Sequence, residues 1–261
     1  MPRDLEQLVD SLTLEERVSL LAGQDSWSVN AIPAKGVPYL RVSDGPNGAR
    51  GSEFMNGAGA SAFPAGVSLA SSWDLGLLEE VGRALAGEAL SKGARVLLAP
   101  TVNLHRTPLN GRTFEAYSED PFLTGKLAVA YVKGLQGLGV AATVKHFVGN
   151  ESEFERMSIS SDIGERALRE LYLRPFEMAV KDGDAWAIMT AYNKVNGTFA
   201  GENPWTLGVL RGEWGFDGLV MSDWFGTHSV VEAANAGLDL EMPGPTQWRG
   251  ERLVRAVREG K

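Results

Sequence analysis

Seven short apolar runs, separated by stretches of helical periodicity, constrain this chain more than any other feature. They fall at 39–43, 67–71, 95–99, 141–146, 187–192, 218–222 and 238–242, each five or six residues long and rich in Val, Ile, Leu, Met and Ala. None alternates apolar with polar residues, which is how strands read when helices cover both faces of a parallel sheet. Helix signals lie between most of them. Thr13 with Glu16 forms a capping box, Asp74 stands ahead of a helix over 75–91, and Asp120 with Pro121 opens another. The stretch 165–180 carries Leu168, Leu171, Tyr172, Phe176, Ala179 and Val180 on one stripe. Outside the stripe, Glu165–Arg169 and Glu170–Arg174 are spaced for ion pairs, and Pro175 is expected to kink the helix. Seven strands with interleaved helices in 261 residues predict an α/β chain folded as a (β/α)8-like TIM barrel. A doubly wound open sheet is the alternative. The barrel is expected to be irregular in its first part, where residues 44–63 are rich in Gly, Ser, Asn and Pro, and incomplete at its C-terminus, where no eighth strand is visible.

Composition narrows the chemistry. With 25 basic and 33 acidic residues the net charge is −8, which argues against a nucleic-acid surface. No apolar run approaches the roughly 18 residues of a membrane span. Met1 to Asp10 is polar, without the apolar core of a signal peptide, so a cytoplasmic location is expected and the sequons at Asn150 and Asn196 carry little weight. The chain has no cysteine and three histidines, His105, His146 and His228. No two stand at the spacing of a helical zinc pair, so neither a metal nor another cofactor is expected. Residues 57–62 formally match a dinucleotide fingerprint but neither follow a strand nor open a helix, and Pro64 comes too soon.

In a parallel α/β sheet, reactive groups belong just past the C-terminal ends of the strands. Those positions hold Asp44; Asn103 with His105 and Arg106; Lys145 with His146; Tyr192 with Asn193; Asp223 with Trp224; and Glu241. Carboxylates and cations that bind vicinal hydroxyls, with an indole for the apolar face of a pyranose, make this the mixture a sugar site needs. Each residue alone has a plainer explanation. Asp223 also fits a helix cap or structural ion pair, Asp44 a turn in Ser-Asp-Gly-Pro, Lys145–His146 a solvated lysine beside a core histidine, Trp224 a core side chain, and Arg112 and Arg156 surface charge.

Taken together, a set of motifs resembles the catalytic barrel of glycoside hydrolase family 3, most closely its β-glucosidase branch. They are Ser43-Asp44-Gly45-Pro46-Asn47-Gly48, Phe63-Pro64-Ala65, Pro108-Leu109-Asn110-Gly111-Arg112-Thr113-Phe114-Glu115, Tyr117-Ser118-Glu119-Asp120-Pro121, Lys145-His146-Phe147, Glu165-Arg166-Ala167-Leu168-Arg169-Glu170 and Val220-Met221-Ser222-Asp223-Trp224. They occur in family order over about residues 10 to 245. The resemblance implies that residues 1–261 are the family's N-terminal barrel, acting on terminal β-D-glucosides with retention of configuration. It makes Asp223 the nucleophile and Asp44 a ligand of sugar hydroxyls. Lys145 and His146 would hold neighbouring hydroxyls, and Arg50, Arg112 and Arg156 would position hydroxyls or carboxylates. Met189 and Tyr192 would line the subsite, and Trp224 would close it.

The resemblance also implies an acid/base that this sequence lacks. In the β-glucosidase branch it is a Glu on a following α/β sandwich domain. In the N-acetylglucosaminidase branch it belongs to an Asp-His pair after the Lys-His motif, where this chain reads Gly149-Asn150-Glu151-Ser152-Glu153. Glu151, Glu153 and Glu155 are the carboxylates in that neighbourhood. The alternatives to a complete hydrolase are a non-catalytic sugar-binding barrel and a subunit that needs a partner domain. A mouth built to meet another domain predicts exposed apolar groups, with Phe54, Phe63, Trp224 and Phe225 as candidates, and self-association.

Overall fold

The computed structural model describes residues 5–51 and 59–261; Phe54 lies outside the described residues. Among the described residues, nine short strands form two sheets: β1 Ser28–Val29, β2 Leu40–Asp44, β3 Val96–Leu98, β4 Ala141–Phe147, β5 Ser160–Ser161, β6 Ala187–Thr190, β7 Lys194–Val195, β8 Thr198–Phe199 and β9 Leu219–Ser222. The main sheet runs β1-β2-β3-β4-β6-β9, with β1 antiparallel to β2 and every other pair parallel. Strand order follows chain order without a reversal. That excludes the doubly wound alternative, whose order turns back at a switch point.

Beyond the regular strands, single parallel bridges join Met221 to Leu240 and Ala22 to Glu241, and an antiparallel bridge joins Gly23 to Val29 of β1. The sheet is therefore curled. The run at 238–242 pairs only through such bridges and is not a regular strand.

Side-chain alternation divides the core in two. Leu97, Val144, Phe147, Ile188 and Val220 face outward and pack with Leu78, Leu85, Tyr131, Leu135 and Phe176 of the surrounding helices. Val42, Val96, Leu98, Met189 and Met221 face inward, with Trp27, Leu240 and Met242, and fill the curl. Burial on both faces is why β3, β6 and β9 read as almost unbroken apolar runs.

The helix caps form as their residues dictate. Glu16 N–H donates to Thr13 Oγ1 at 3.2 Å, and Thr13 N–H donates to the Glu16 carboxylate at 2.9 Å. Asp74 accepts from Leu77 N–H ahead of the helix Leu75–Ser91, and Asp120 from Leu123 N–H ahead of Pro121–Gln136.

Other expectations fail as well. The run at 67–71 is a helix, Gly66–Ala70, not a strand. The helix over 165–180 is broken: Glu165–Ala167 leads into a wide π turn, Leu168–Tyr172, and a new helix begins at Arg174 and ends at Lys181. Pro175 thus sits in a first turn, where its missing N–H costs nothing, and the break precedes it. Glu170 pairs with Arg166 at 3.0 Å and Arg174 with Glu177 at 2.9 Å, in place of a Glu170–Arg174 pair.

Candidate active site

At the C-terminal ends of the parallel strands lies a cavity of about 370 Å³, lined by Trp27, Asp44, Arg50, Leu98, Arg112, Lys145, His146, Arg156, Met189, Tyr192, Asp223, Trp224 and Phe225. That volume lies in the range of small-molecule sites.

Asp44 ends β2. Lys145 Nζ donates to its Oδ1 at 2.7 Å, and Arg50 lies 3.9 Å from its Oδ2. Burial alone would raise the Asp44 carboxyl; Lys145 above all, with Arg50 and Arg112, brings it below its ordinary value. Lys145 and His146 are neighbours in β4, and successive strand residues ordinarily point to opposite faces. Here the register of β4 against β6 shifts between Val144 and Phe147, and both side chains reach the cavity.

Asp223 follows β9 and is buried. Its Oδ1 accepts from Trp224 N–H at 2.7 Å, the Tyr192 hydroxyl bonds to it, and His146 Nε2 lies 3.5 Å from its Oδ2. Burial pushes the Asp223 carboxyl above its ordinary value, although Lys145, the Trp224 amide, Arg112 and Tyr192 all pull the other way. Burial also drives His146 well below its ordinary value, aided by Arg112, Lys145 and Arg156, so the ring is neutral at neutral pH.

The cations are themselves held. Arg112 pairs with the buried Glu115, and Arg156 pairs with Glu153 at 2.5 Å while its guanidinium lies 4.8 Å from the centre of the Tyr192 ring. Trp224 donates through Nε1 to Ser26 O at 2.9 Å, and its ring centre lies 5.4 Å from that of Trp27.

The cavity brings together all ten residues carried over from the resemblance, whatever their roles. Other strand-end candidates lie elsewhere. Asn103 contacts His146 from behind. His105 and Arg106 line a separate hollow with Phe114 and Glu119. Asn193 bonds to Val148 O, Ser161 and its neighbour's carbonyl, and Glu241 accepts from the backbone N–H groups of 247–249. Glu151 is buried behind Asn103 and Glu153 is paired, so neither lines the cavity. Trp27 and Leu98 were not anticipated, and Phe225 was expected only as an exposed apolar group at the mouth. Trp27 precedes a two-residue antiparallel strand too short to carry a pattern, whereas Phe225 was signalled by its place beside Trp224.

Fold and cavity define a curled parallel α/β domain with carboxylates, cations and aromatic rings gathered at its strand ends. The family model described as glycosyl hydrolase family 3 N terminal domain matches residues 30–261. The chain belongs to that family.

A β-glucosidase of Rhizobium radiobacter is 61% identical over 259 residues, covering 98% of this chain and 32% of that protein. β-Glucosidase B of Emericella nidulans is 59% identical over 257 residues, covering 98% and 30%. A crystal structure of β-glucosidase from Kluyveromyces marxianus in complex with glucose superposes with a TM-score of 0.96 at 50% identity, covering 97% of this chain and 31% of that one. The β-glucosidase 3B of Thermotoga neapolitana in complex with glucose gives 0.94 at 42%, covering 99% and 40%. The chain thus spans about a third of the length of these relatives.

Proposed function

We propose that this chain carries the glucose-binding subsite and the nucleophile of a retaining β-glucosidase. The observation that bears the most weight is Asp223. It is a buried carboxylate at a strand end, facing a cavity that also holds a lysine-bound Asp44, and its Oδ1 is already engaged by the Trp224 amide. An Oδ2 lone pair attacks the anomeric carbon as the glycosidic C–O bond breaks, giving a glycosyl-enzyme that water then hydrolyses with net retention. Asp44, Lys145 and His146 bind ring hydroxyls, the three arginines hold hydroxyls and carboxylates in place, and Trp224 with Trp27 covers the apolar face of the ring. The bridged segments at 22–23 and 240–241 support reading the curled sheet as the family's barrel.

The leaving oxygen needs a proton, and among the described residues the only carboxyl lining the cavity besides Asp223 is Asp44, tied to Lys145. This favours an acid/base supplied from outside these 261 residues, consistent with relatives about three times as long. The test compares two substrates. An activated aryl β-glucoside is expected to react, because its departing oxygen needs no protonation, while an unactivated β-linked disaccharide reacts slowly or not at all. Brisk hydrolysis of the disaccharide would show that an acid/base lies within the chain, with Glu151 and Glu153 the first to substitute. Sugar binding with no reaction of either substrate would favour a binding barrel.

A further inference from the structure

Asn103 lies outside the cavity and is 6% exposed, yet its carboxamide is fully engaged around His146. An asparagine amide offers two N–H donors and an oxygen with two lone pairs. Nδ2 donates to the backbone oxygen of His146 at 3.1 Å and to Glu151 Oε1 at 3.2 Å. Oδ1 accepts from the backbone N–H of His146 at 2.9 Å and lies 3.1 Å from its ring Nδ1. The amide fits only this way round. Flipped, its NH₂ would meet the His146 N–H and its oxygen would face a carbonyl and a carboxyl oxygen. Oδ1 stands 3.1 Å from Nδ1, whereas the Asp223 carboxylate is farther from Nε2, at 3.5 Å, so the closer acceptor places the ring proton on Nδ1.

We propose that Asn103 is a positioning residue that locks His146 in the Nδ1–H tautomer, so that the neutral ring turns a bare Nε2, an acceptor, toward Asp223 and the cavity. The charged groups around the ring are Lys145, Arg112 and Arg156, with Asp223 in front and Glu151 behind Asn103. Burial above all, aided by the three cations, keeps the ring from taking a second proton. Two consequences rest on the β-glucosidase reading. A sugar hydroxyl beside His146 donates to Nε2 instead of accepting from it. Asp223 also receives no hydrogen bond from His146, which would otherwise damp its nucleophilicity.

The tautomer itself is measurable without any sugar. With three histidines in the chain, ¹⁵N-histidine labelling and long-range ¹H–¹⁵N spectra distinguish the tautomers, and a His146→Gln sample assigns the signal by subtraction. A neutral ring protonated on Nδ1 is expected at about pH 7; an Nε2–H ring or an imidazolium would overturn the proposal. Asn103→Asp keeps the shape and sets a carboxylate against Nδ1, so the ring's titration midpoint should rise by roughly one pH unit or more. An unmoved midpoint would count against the clamp. Asn103→Ala, where its circular dichroism matches the parent's, should lose the tautomer preference, and retention of Nδ1–H would refute the role of Asn103. Should that variant not fold, the parent and Asn103→Asp spectra decide alone. Because no substrate is present, failed β-glucoside turnover leaves this result standing, and an unexpected tautomer leaves turnover intact.

Discussion

On the proposed reading, Asp223 couples chemistry and stability within one carboxylate. Burial raises its carboxyl above the ordinary value, so the native state holds this proton more tightly than the unfolded chain does. Its contribution to stability therefore falls as pH rises from the unfolded value through the folded one, and at neutral pH the ionised group is a net cost. Asp223→Asn is expected to cut glucoside turnover about 10³-fold or more. Its melting temperature at pH 7 should equal or exceed the parent's, an advantage that disappears below about pH 4; full turnover in the variant would rule out the nucleophile.

Glu151 offers a cleaner test of the same sign. Burial pushes its carboxyl up to about 7 from 4.5, so stability is complete below the unfolded value and lost as pH rises toward and past 7. Glu151→Gln should match the parent near pH 4 and exceed it above pH 8 by on the order of 3 kcal/mol. Equal urea midpoints at both pH values would contradict this. At this scale the sequence was informative because parallel sheets put chemistry at strand ends, so Asp44, Lys145, His146 and Asp223 could be located by counting runs. The couplings behind them, such as Asn103 to His146, were hidden, since partners 43 residues apart are set by packing.

Between elements, the helices Leu75–Ser91 and Pro121–Gln136 approach backbone to backbone. A Cβ on Gly134 would stand 2.2 Å from Glu79 O, and one on Gly82 would stand 2.5 Å from Tyr131 O. Helix propensity alone would make Gly134→Ala stabilising by up to about 1 kcal/mol. The contact reverses the sign: parting the helices should cost roughly 1–3 kcal/mol net, read as a lowered denaturation midpoint. A raised midpoint would mean that the helices separate freely.

Local patterns deceived where tertiary contacts decide. The apolar run at 67–71 fits a buried strand and a buried helix turn alike, and packing chose the helix. The π turn at Leu168–Tyr172 left no mark on the helical stripe. Conversely, Asn196-Gly197 was a readable hairpin turn that drew notice only as a sequon. Both residues have positive φ, 50° and 91°, between β7 and β8.

Across the whole molecule, large apolar side chains are exposed in the segments that follow the strands on the cavity side. Leu109 is 90% exposed, Phe154 69% and Phe225 60%. Of the groups expected there, Phe63 packs against the core and Trp224 is partly buried against Trp27, so Phe225 alone among the described candidates is exposed. A face of this kind suits a partner domain. Light scattering should show association that grows with concentration and weakens in Leu109→Ser with Phe154→Ser; a monomer at high concentration would oppose it. The curl of the sheet was legible from the rhythm of runs and helices. Its joining through single bridges at Ala22, Gly23, Leu240 and Glu241 was not, because isolated pairs leave no periodicity. Among the described residues no helix is long and apolar enough to cross a membrane, and no cluster of three or more His, Asp or Glu is arranged to hold a metal. The central claim is covalent attack by Asp223, and mass spectrometry tests it most directly. The chain is mixed with an activated aryl β-glucoside, with and without azide, and the peptide containing Asp223 is examined. The account predicts a glycosyl adduct on Asp223 that azide removes as a glycosyl azide of retained configuration. Measurable glucose binding with no adduct under any condition would contradict it.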